Sequence, residues 1–165
     1  MNTTVLAATV TLLAAACWTD LRRMVIPNRL TVLFAAAGLL YQGIAYGYVR
    51  IGWALVGAAA GMLPLLLLYA LRGIGGGDVK WFAAFGTWAG AFVSLQLVVG
   101  SVLFAGAIAL ALMAFRLPGI RAIALHLKWP WGEHPAVARR GAKFPFMLAV
   151  APAYAALVYS GSIVG

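Results

Sequence analysis

Apolar residues fill most of the chain in long runs that polar residues interrupt at only a few places. The runs cover residues 3–18, 30–48, 51–71, 79–90, 92–115 and 145–163. A helix needs about 20 such residues to cross the roughly 30 Å of hydrocarbon in a bilayer, and most of the runs approach that length. The runs are continuous rather than alternating, so they predict helices and not the strands of a barrel. The predicted fold is all-α, a polytopic membrane protein with six transmembrane helices.

One apolar stretch, from Val79 to Phe115, is too long for a single crossing. As one helix it would be roughly 55 Å long, which is more than a tilted helix accommodates. Trp88-Ala89-Gly90 offers a place for a break. The sequence therefore predicts that the fourth helix, over residues 79–90, is short. The small residues of Gly57–Gly61 and of Gly86–Gly90 are expected to let helices pack closely, with contacts between two copies of the chain as the alternative.

The basic residues determine the predicted orientation in the membrane. The chain has 12 Lys and Arg, and six crossings leave only Arg50 on the outer side. The other eleven then share the inner side: Arg22, Arg23, Arg29, Arg72, Lys80, Arg116, Arg121, Lys128, Arg139, Arg140 and Lys143. Because cytoplasmic loops are rich in Lys and Arg, this distribution predicts that both termini lie outside, in the periplasm, and that loops one, three and five are cytoplasmic.

Composition excludes several classes of protein. Hydrophobic residues make up 65% of the 165 positions and charged residues 9%, against about 25% charged in a soluble domain. The net charge of +9 does not indicate nucleic-acid binding, because the basic residues stand at the ends of apolar runs. One cysteine, Cys17, and two separated histidines, His126 and His134, predict no disulfide, metal or cofactor. The length predicts one transmembrane domain over residues 1–165.

The only long polar stretch is residues 116–144. Within it Ile120, Ile123, Ala124 and Leu127 recur at helical spacing, which predicts a short helix in the membrane interface. The nearby Trp129 and Trp131 are residue types typical of that interface. Two roles remain open for the segment, a surface anchor or a gate over a site.

The first candidate site is Asp20. The chain has only three acidic residues, and the other two are Asp78 and Glu133. A carboxylate at the edge of an apolar helix is costly, so its presence indicates a function. Pro27 cannot continue a helix from the preceding residue, so the second helix begins at or after it, and Asn28 is in a position to cap that start. The alternative is that Asp20 only pairs with Arg22 or Arg23 at the lipid surface.

The second candidate site is the run Gly73-Ile74-Gly75-Gly76-Gly77-Asp78-Val79-Lys80. Glycines permit a sharp turn and the close approach of a substrate strand. The alternative is that Asp78 only caps the helix that follows it, with Lys80 marking the membrane boundary.

Together the two sites predict acid–base chemistry. The topology places Asp20 and Asp78 at the same membrane face, and two neighbouring carboxylates tend to share one proton. The ionised member activates a water and the protonated member donates to a carbonyl oxygen; the roles are not assigned to either residue. Arg22 and Lys80 favour the ionised forms and apolar surroundings favour the protonated ones, so the direction of the pKa shift is open.

These motifs resemble the type IV prepilin peptidases, a family of membrane aspartic proteases with a Gly-x-Gly-Asp motif. Gly75-Gly76-Gly77-Asp78 with Val79-Lys80 looks like that motif, and Asp20-x-Arg22 with Ile26-Pro27-Asn28 looks like its partner. Lys143-Phe144-Pro145-Phe146 is also similar, though less specific. The resemblance extends over essentially the whole chain.

The resemblance implies an Asp20/Asp78 dyad that removes the short basic leader of a prepilin at the cytoplasmic side of the bacterial inner membrane. It implies supporting roles for eight further residues: Arg22, Ile26, Pro27, Asn28, Gly75, Gly76, Gly77 and Lys80. The short chain is similar to the peptidases of tight-adherence (Flp-type) pili, with archaeal preflagellin peptidases a near alternative. It has no N-terminal domain with paired cysteines, which weighs against a zinc module and N-methylation of the product.

Three other functions compete with this interpretation. A presenilin-like protease also uses Gly-x-Gly-Asp, but the sequence shows no Tyr-Asp partner motif and six helices are too few. A small proton- or ion-coupled transporter would use the same two aspartates, yet it does not explain Ile26-Pro27-Asn28. A purely structural assembly protein is the third. Cleavage of a prepilin by the purified protein, set against proton-coupled uptake in vesicles, discriminates among them.

Overall fold

The computed structural model describes residues 2–115, 117, 121, 125–126, 128–131, 134–137 and 144–161. Every regular element within these ranges is an α-helix, so the predicted all-α class is confirmed. The helices are α1 (Thr3–Arg23), α2 (Asn28–Tyr46), α3 (Tyr48–Ala70), α4 (Gly76–Ala89), α5 (Ala91–Ala114) and α6 (Met147–Tyr159).

Four helices, α1, α2, α3 and α5, are long and apolar enough to cross a membrane. The other two are shorter, with 14 residues in α4 and 13 in α6. The break predicted near Gly90 is confirmed, because α4 ends at Ala89 and Gly90 has a φ of 81° that glycine adopts easily. Helix α6 is shorter than the predicted 145–163, since Phe146 occupies the capping position and Gly161, at φ 74°, follows its end.

Polar side chains add hydrogen bonds to carbonyl groups at the α4–α5 break, where the carbonyl oxygen of Gly90 also accepts the backbone N–H of Ser94. Irregular backbone inside a membrane protein requires such partners, because lipid provides none. The amide Nε2 of Gln42 donates to the carbonyl oxygen of Trp88 at 3.4 Å. The hydroxyl of Ser94 donates to the carbonyl oxygen of Gly90 at 2.7 Å.

Helix α4 is the centre of the bundle. Nine of its residues are buried, and it packs against α1, α2, α3 and α5. The rings of Trp81 and Phe85 stack with centroids 5.5 Å apart, and Phe85 meets the ring of Tyr154 on α6. Indole N–H groups tie α4 to its neighbours, from Trp81 to the carbonyl of Leu12 at 3.3 Å and from Trp88 to that of Phe34 at 2.8 Å.

Glycines bring α3 and α4 into direct backbone contact. A Cβ at Gly86 would meet the carbonyl group of Gly57, a Cβ at Gly57 would meet the carbonyl oxygen of Gly86, and one at Gly61 would meet the carbonyl oxygen of Phe82. Such close approach strengthens dispersion contacts, which matter most in a bilayer because lipid tails are as apolar as the core. The predicted packing role is confirmed for Gly57, Gly61 and Gly86, whereas a Cβ at Gly90 would meet open space.

The loop between α1 and α2 is shorter than the sequence predicted. Helix α1 continues to Arg23, so Arg22 and Arg23 form its last turn, where positive charge interacts favourably with the helix dipole. The expectation that Asn28 caps α2 was wrong. Pro27, with its extended backbone, occupies the capping position, and Asn28 is the first helical residue.

The glycine contact provides a test of the packing. We expect Gly86→Ala to lower the free energy of unfolding, because the new methyl group would overlap the carbonyl of Gly57 and overpacking costs about 1–3 kcal/mol. Gly106→Ala is the matched control, since a Cβ there meets open space. Thermal unfolding in one detergent compares the two variants, and equal melting temperatures would contradict the contact.

Candidate active site

Asp20 lies in the last turn of α1 and is buried, with 5% of its surface exposed. Its Oδ2 accepts a hydrogen bond from the backbone N–H of Met147, the first residue of α6, at 3.0 Å. The guanidinium of Arg22 lies instead 3.8 Å from the ring centroid of Trp18. The partner found for Asp20 is therefore the start of another helix, and Arg22 makes its contact with an aromatic ring.

Asp78 occupies the first turn of α4 and is 7% exposed. Its Oδ2 accepts the backbone N–H of Gly75 at 3.2 Å, so the capping contact considered for it is present. This contact also fixes the carboxylate at one end of the bundle, where Asp20 lies. Both aspartates are thus held by an N–H group at a helix start, the end that favours negative charge.

The two carboxylates line the same two cavities. The larger, of about 500 Å³, also has Arg72, Phe144 and Phe146 in its wall. The smaller, of about 300 Å³, has Asn28 and the glycines 75–77 in its wall. Because both aspartates belong to both walls, they lie where an aromatic-lined space and a glycine-lined space meet.

The glycines before Asp78 serve close packing rather than an unusual backbone turn. Gly75, Gly76 and Gly77 are absent from the positive-φ positions of the described chain. A Cβ at Gly77 would lie 3.3 Å from Cβ of Ile26, and one at Gly75 would lie 3.1 Å from Oδ2 of Asp78. Gly77 thus joins the two motifs directly, and Gly75 leaves room for the carboxylate.

The left-handed turns near the site belong to two residues with side chains. Met24 has φ 51° and Arg72 has φ 59°, a region that costs energy for residues other than glycine. Both line the larger cavity. The left-handed residue before Asp78 is therefore Arg72, and not one of the glycines that the sequence suggested for a sharp turn.

Lys80 and Asn28, one from each motif, contact each other. The Nζ of Lys80 donates to Oδ1 of Asn28 at 3.0 Å. Asn28 lines the smaller cavity, as does the buried Ile26 beside the extended Pro27. All ten residues singled out in the sequence thus lie at one end of the bundle, with Arg22 turned to Trp18.

The pKa of Asp78 shows which electrostatic effect prevails there. Asp78 lies outside the four long apolar helices. Burial, and after it the charge of Asp20, raises the pKa of Asp78 to about 7, while the backbone N–H groups of Gly75 and Asp78 itself act in the opposite direction. The surroundings therefore favour the protonated form of Asp78 more than water does, a property that suits a proton donor.

Arg72, Phe144 and Phe146 line the larger cavity and are not among the predicted site residues. The Phe144-Pro145-Phe146 run was the available signal for the two phenylalanines; Lys143 lies outside the described residues. Within the described ranges no group of three or more His, Cys, Asp or Glu side chains is placed to hold a metal ion. The chemistry the arrangement offers is proton transfer by two carboxylates.

The polar segment between α5 and α6 touches the same end of α1. The indole N–H of Trp131 donates to the carbonyl oxygen of Leu21 at 3.0 Å, and the rings of Trp129 and Trp131 pack edge to face, 5.1 Å apart. The four apolar residues of the predicted interfacial helix, Ile120, Ile123, Ala124 and Leu127, lie outside the described residues. Anchor and gate stay as predictions for this segment.

Comparison with known proteins adds independent information. The model of the type IV leader peptidase family matches residues 7–110, more than half of the chain and a range that includes both aspartates. The prepilin leader peptidase/N-methyltransferase of Aeromonas salmonicida (strain A449) is 40% identical over 85 residues, which cover 47% of this chain and 29% of that protein. The Bacillus subtilis (strain 168) protein with the same name is 34% identical over 119 residues, 66% of this chain and 46% of that protein.

The aligned regions thus span less than half the length of these curated relatives. No solved structure gives a significant match to the chain.

The coupling between the carboxylates is directly measurable. Asp20 and Asp78 are the only aspartates in the chain, so carboxyl-13C aspartate labelling gives two side-chain NMR signals, which Asp78→Asn assigns. We expect the Asp78 signal to titrate near pH 7. In Asp20→Asn its pKa falls, because the neighbouring charge is gone while burial remains; an unchanged titration would show that the two groups do not interact.

Proposed function

Because the chain belongs to the type IV leader peptidase family, we propose that it is an aspartic endopeptidase that removes the basic leader from type IV prepilins. Asp20 and Asp78 form the catalytic pair. The observation that carries this proposal is that both carboxylates line the same two cavities at one end of the bundle. The six helices share one core, which supports residues 1–165 as a single catalytic unit.

The proposed reaction is the hydrolysis of one peptide bond. The ionised member of the pair takes a proton from a water molecule as its oxygen attacks the scissile carbonyl carbon. The protonated member donates to the carbonyl oxygen, which forms a neutral tetrahedral intermediate. When the C–N bond breaks, the member that took the proton from water gives it to the leaving nitrogen. The other member accepts a proton from a hydroxyl of the intermediate as the carboxyl product forms, so the pair returns to its original singly protonated state. The raised pKa of Asp78 supports Asp78 as the proton donor.

The two cavities support a substrate that passes over the pair in an extended conformation. Phe144 and Phe146 give the larger cavity an apolar wall, which suits the apolar segment after the leader. In the smaller cavity the glycines leave backbone groups of this protein accessible. These groups would contact the part of the substrate on the other side of the scissile bond. An extended strand between them would place its scissile carbonyl at the carboxylates.

Charge supports a cytoplasmic location for the site, at the inner membrane of a bacterium. Arg72 lines the larger cavity, and Arg22, Arg23 and Lys80 belong to the helix turns beside the aspartates. Arg50 belongs to the opposite end, 5.5 Å from the ring of Tyr46. Positive charge accumulates on the cytoplasmic side of membrane proteins.

The transporter alternative is less well supported. Transporter sites lie near the bilayer midplane between repeats, whereas Asp20 and Asp78 lie at a helix C-terminus and a helix N-terminus. Uptake of protons by vesicles that contain the protein, with no peptide cleavage, would favour it.

Neutral substitution of either aspartate tests the catalytic pair. We expect Asp20→Asn and Asp78→Asn each to lower the cleavage rate of a peptide with a lysine-rich leader and an apolar continuation by at least about a thousandfold, because the pair then lacks its base or its acid. The chain offers one matched control, Glu133→Gln, the only other acid-to-amide change. Thermal unfolding verifies that each variant is folded, and retained cleavage in either aspartate variant would refute the mechanism.

The pH dependence of cleavage follows from the same pair. Activity requires one proton on the pair, and the pKa of Asp78 is raised to about 7. We therefore expect the cleavage rate to fall as pH rises above 7, approaching about tenfold per pH unit, because the donor loses its proton. Rates measured from pH 5 to about 9 in one detergent test this, and a rate that stays constant to pH 9 would contradict the assignment of Asp78 as donor.

A further inference from the structure

The contact between Lys80 and Asn28 connects two motifs that are 52 residues apart, and only one of its members faces the site. Nζ of Lys80 lies 3.0 Å from Oδ1 of Asn28. Asn28 lines the smaller cavity together with both aspartates. Lys80 belongs to α4 and lines neither of the two cavities.

The chemistry of the two side chains fixes which way the amide points. An ammonium group has only donors, so its partner on Asn28 has to be the carbonyl oxygen and not the amino group. With Oδ1 engaged by Lys80, the NH2 group points to the other side of the planar amide. The orientation of this amide, which is often ambiguous in asparagine, is therefore determined by its partner.

Asn28 also has the backbone support that a binding group needs. It is the first residue of α2 and follows Pro27, whose φ of −63° is fixed by its ring. The adjacent Ile26 is buried and packs against Gly77. The amide therefore stands on a rigid turn next to the glycines before Asp78.

From this geometry we propose that Asn28 binds the substrate by donating its amide NH2 to a backbone carbonyl of the extended peptide in the smaller cavity. Lys80 is a positioning residue, which holds the amide with its donors toward the peptide. The inference rests on the proposed function and assigns separate roles to two residues that the sequence only grouped around the aspartates. Lys80 then acts through Asn28 rather than through its charge at the carboxylates.

Four variants separate these roles. Asn28→Ala removes both contacts, whereas Asn28→Asp keeps an acceptor for Lys80 and removes the donor. Lys80→Met releases the amide, and Lys80→Arg retains a group that only donates. Arg29→Met is the matched control, because it removes one positive charge from the residue next to Asn28.

The measurements are KM and kcat for the leader peptide, and Kd for the same peptide with each change placed in the inactive Asp78→Asn background. We expect Asn28→Ala, Asn28→Asp and Lys80→Met each to raise KM and Kd about three- to tenfold, the value of one hydrogen bond, with a smaller change in kcat. Lys80→Arg recovers part of this loss. The pH–rate profile of Lys80→Met keeps its midpoint, and Arg29→Met binds as the unmodified protein does.

Several results would overturn the inference. Wild-type affinity in Asn28→Asp would mean that Asn28 only holds Lys80, and an equal loss in Arg29→Met would mean that charge alone is responsible. A shifted pH–rate midpoint in Lys80→Met would place the action of Lys80 at the carboxylates. If the unmodified protein binds the peptide but does not cleave it, the proposed function fails while the binding variants still decide the inference; if it does not bind the peptide, both fail.

Discussion

The backbone contact between α3 and α4 is the constraint on which the rest of the structure depends. Gly57 and Gly86 face each other with no side chain between them, so α4 lies deep among its neighbours with nine buried residues. A helix that its neighbours enclose in this way can expose polar groups to water only at its ends. Asp78 occupies its first turn, and the close packing of α4 thereby places a carboxylate at the end of the bundle where α1 ends and α6 begins.

The electrostatics of the pair follow from two opposing effects. Burial disfavours a charged carboxylate, whereas the N–H groups at the starts of α4 and α6 favour it. For Asp78 burial prevails, and its pKa lies near 7. By enclosing Asp78 the bundle thus makes its carboxyl group a weaker acid than in water, while backbone N–H groups of Gly75 and Met147 each hold one of the two carboxylates.

Hydropathy predicted the helical class, and the glycine at position 90 predicted the break. The distribution of basic residues predicted that Asp20 and Asp78 lie at the same end of the bundle. Each of these signals is contained in a short stretch of sequence. The sequence did not predict that Pro27 rather than Asn28 occupies the capping position, nor that Arg72 provides the left-handed turn. Both depend on how loops pack against distant helices. The partner of Asp20 was hidden for the same reason, since the N–H of Met147 lies 127 positions away and a backbone group leaves no signature in a sequence.

The contacts of Asp20 with α6 and of Leu21 with Trp131 determine how much of the chain the site requires. The family match ends at residue 110 and includes both aspartates, yet the donor to Asp20 and the two phenylalanines of the larger cavity come from residues 144–147. A fragment that ends at residue 110 would keep both aspartates. It would lose the aromatic wall of the larger cavity and the N–H donor to Asp20. The complete site therefore needs more of the chain than the two aspartate motifs. If the chain were divided after α5, the two fragments would have to associate before the site could form.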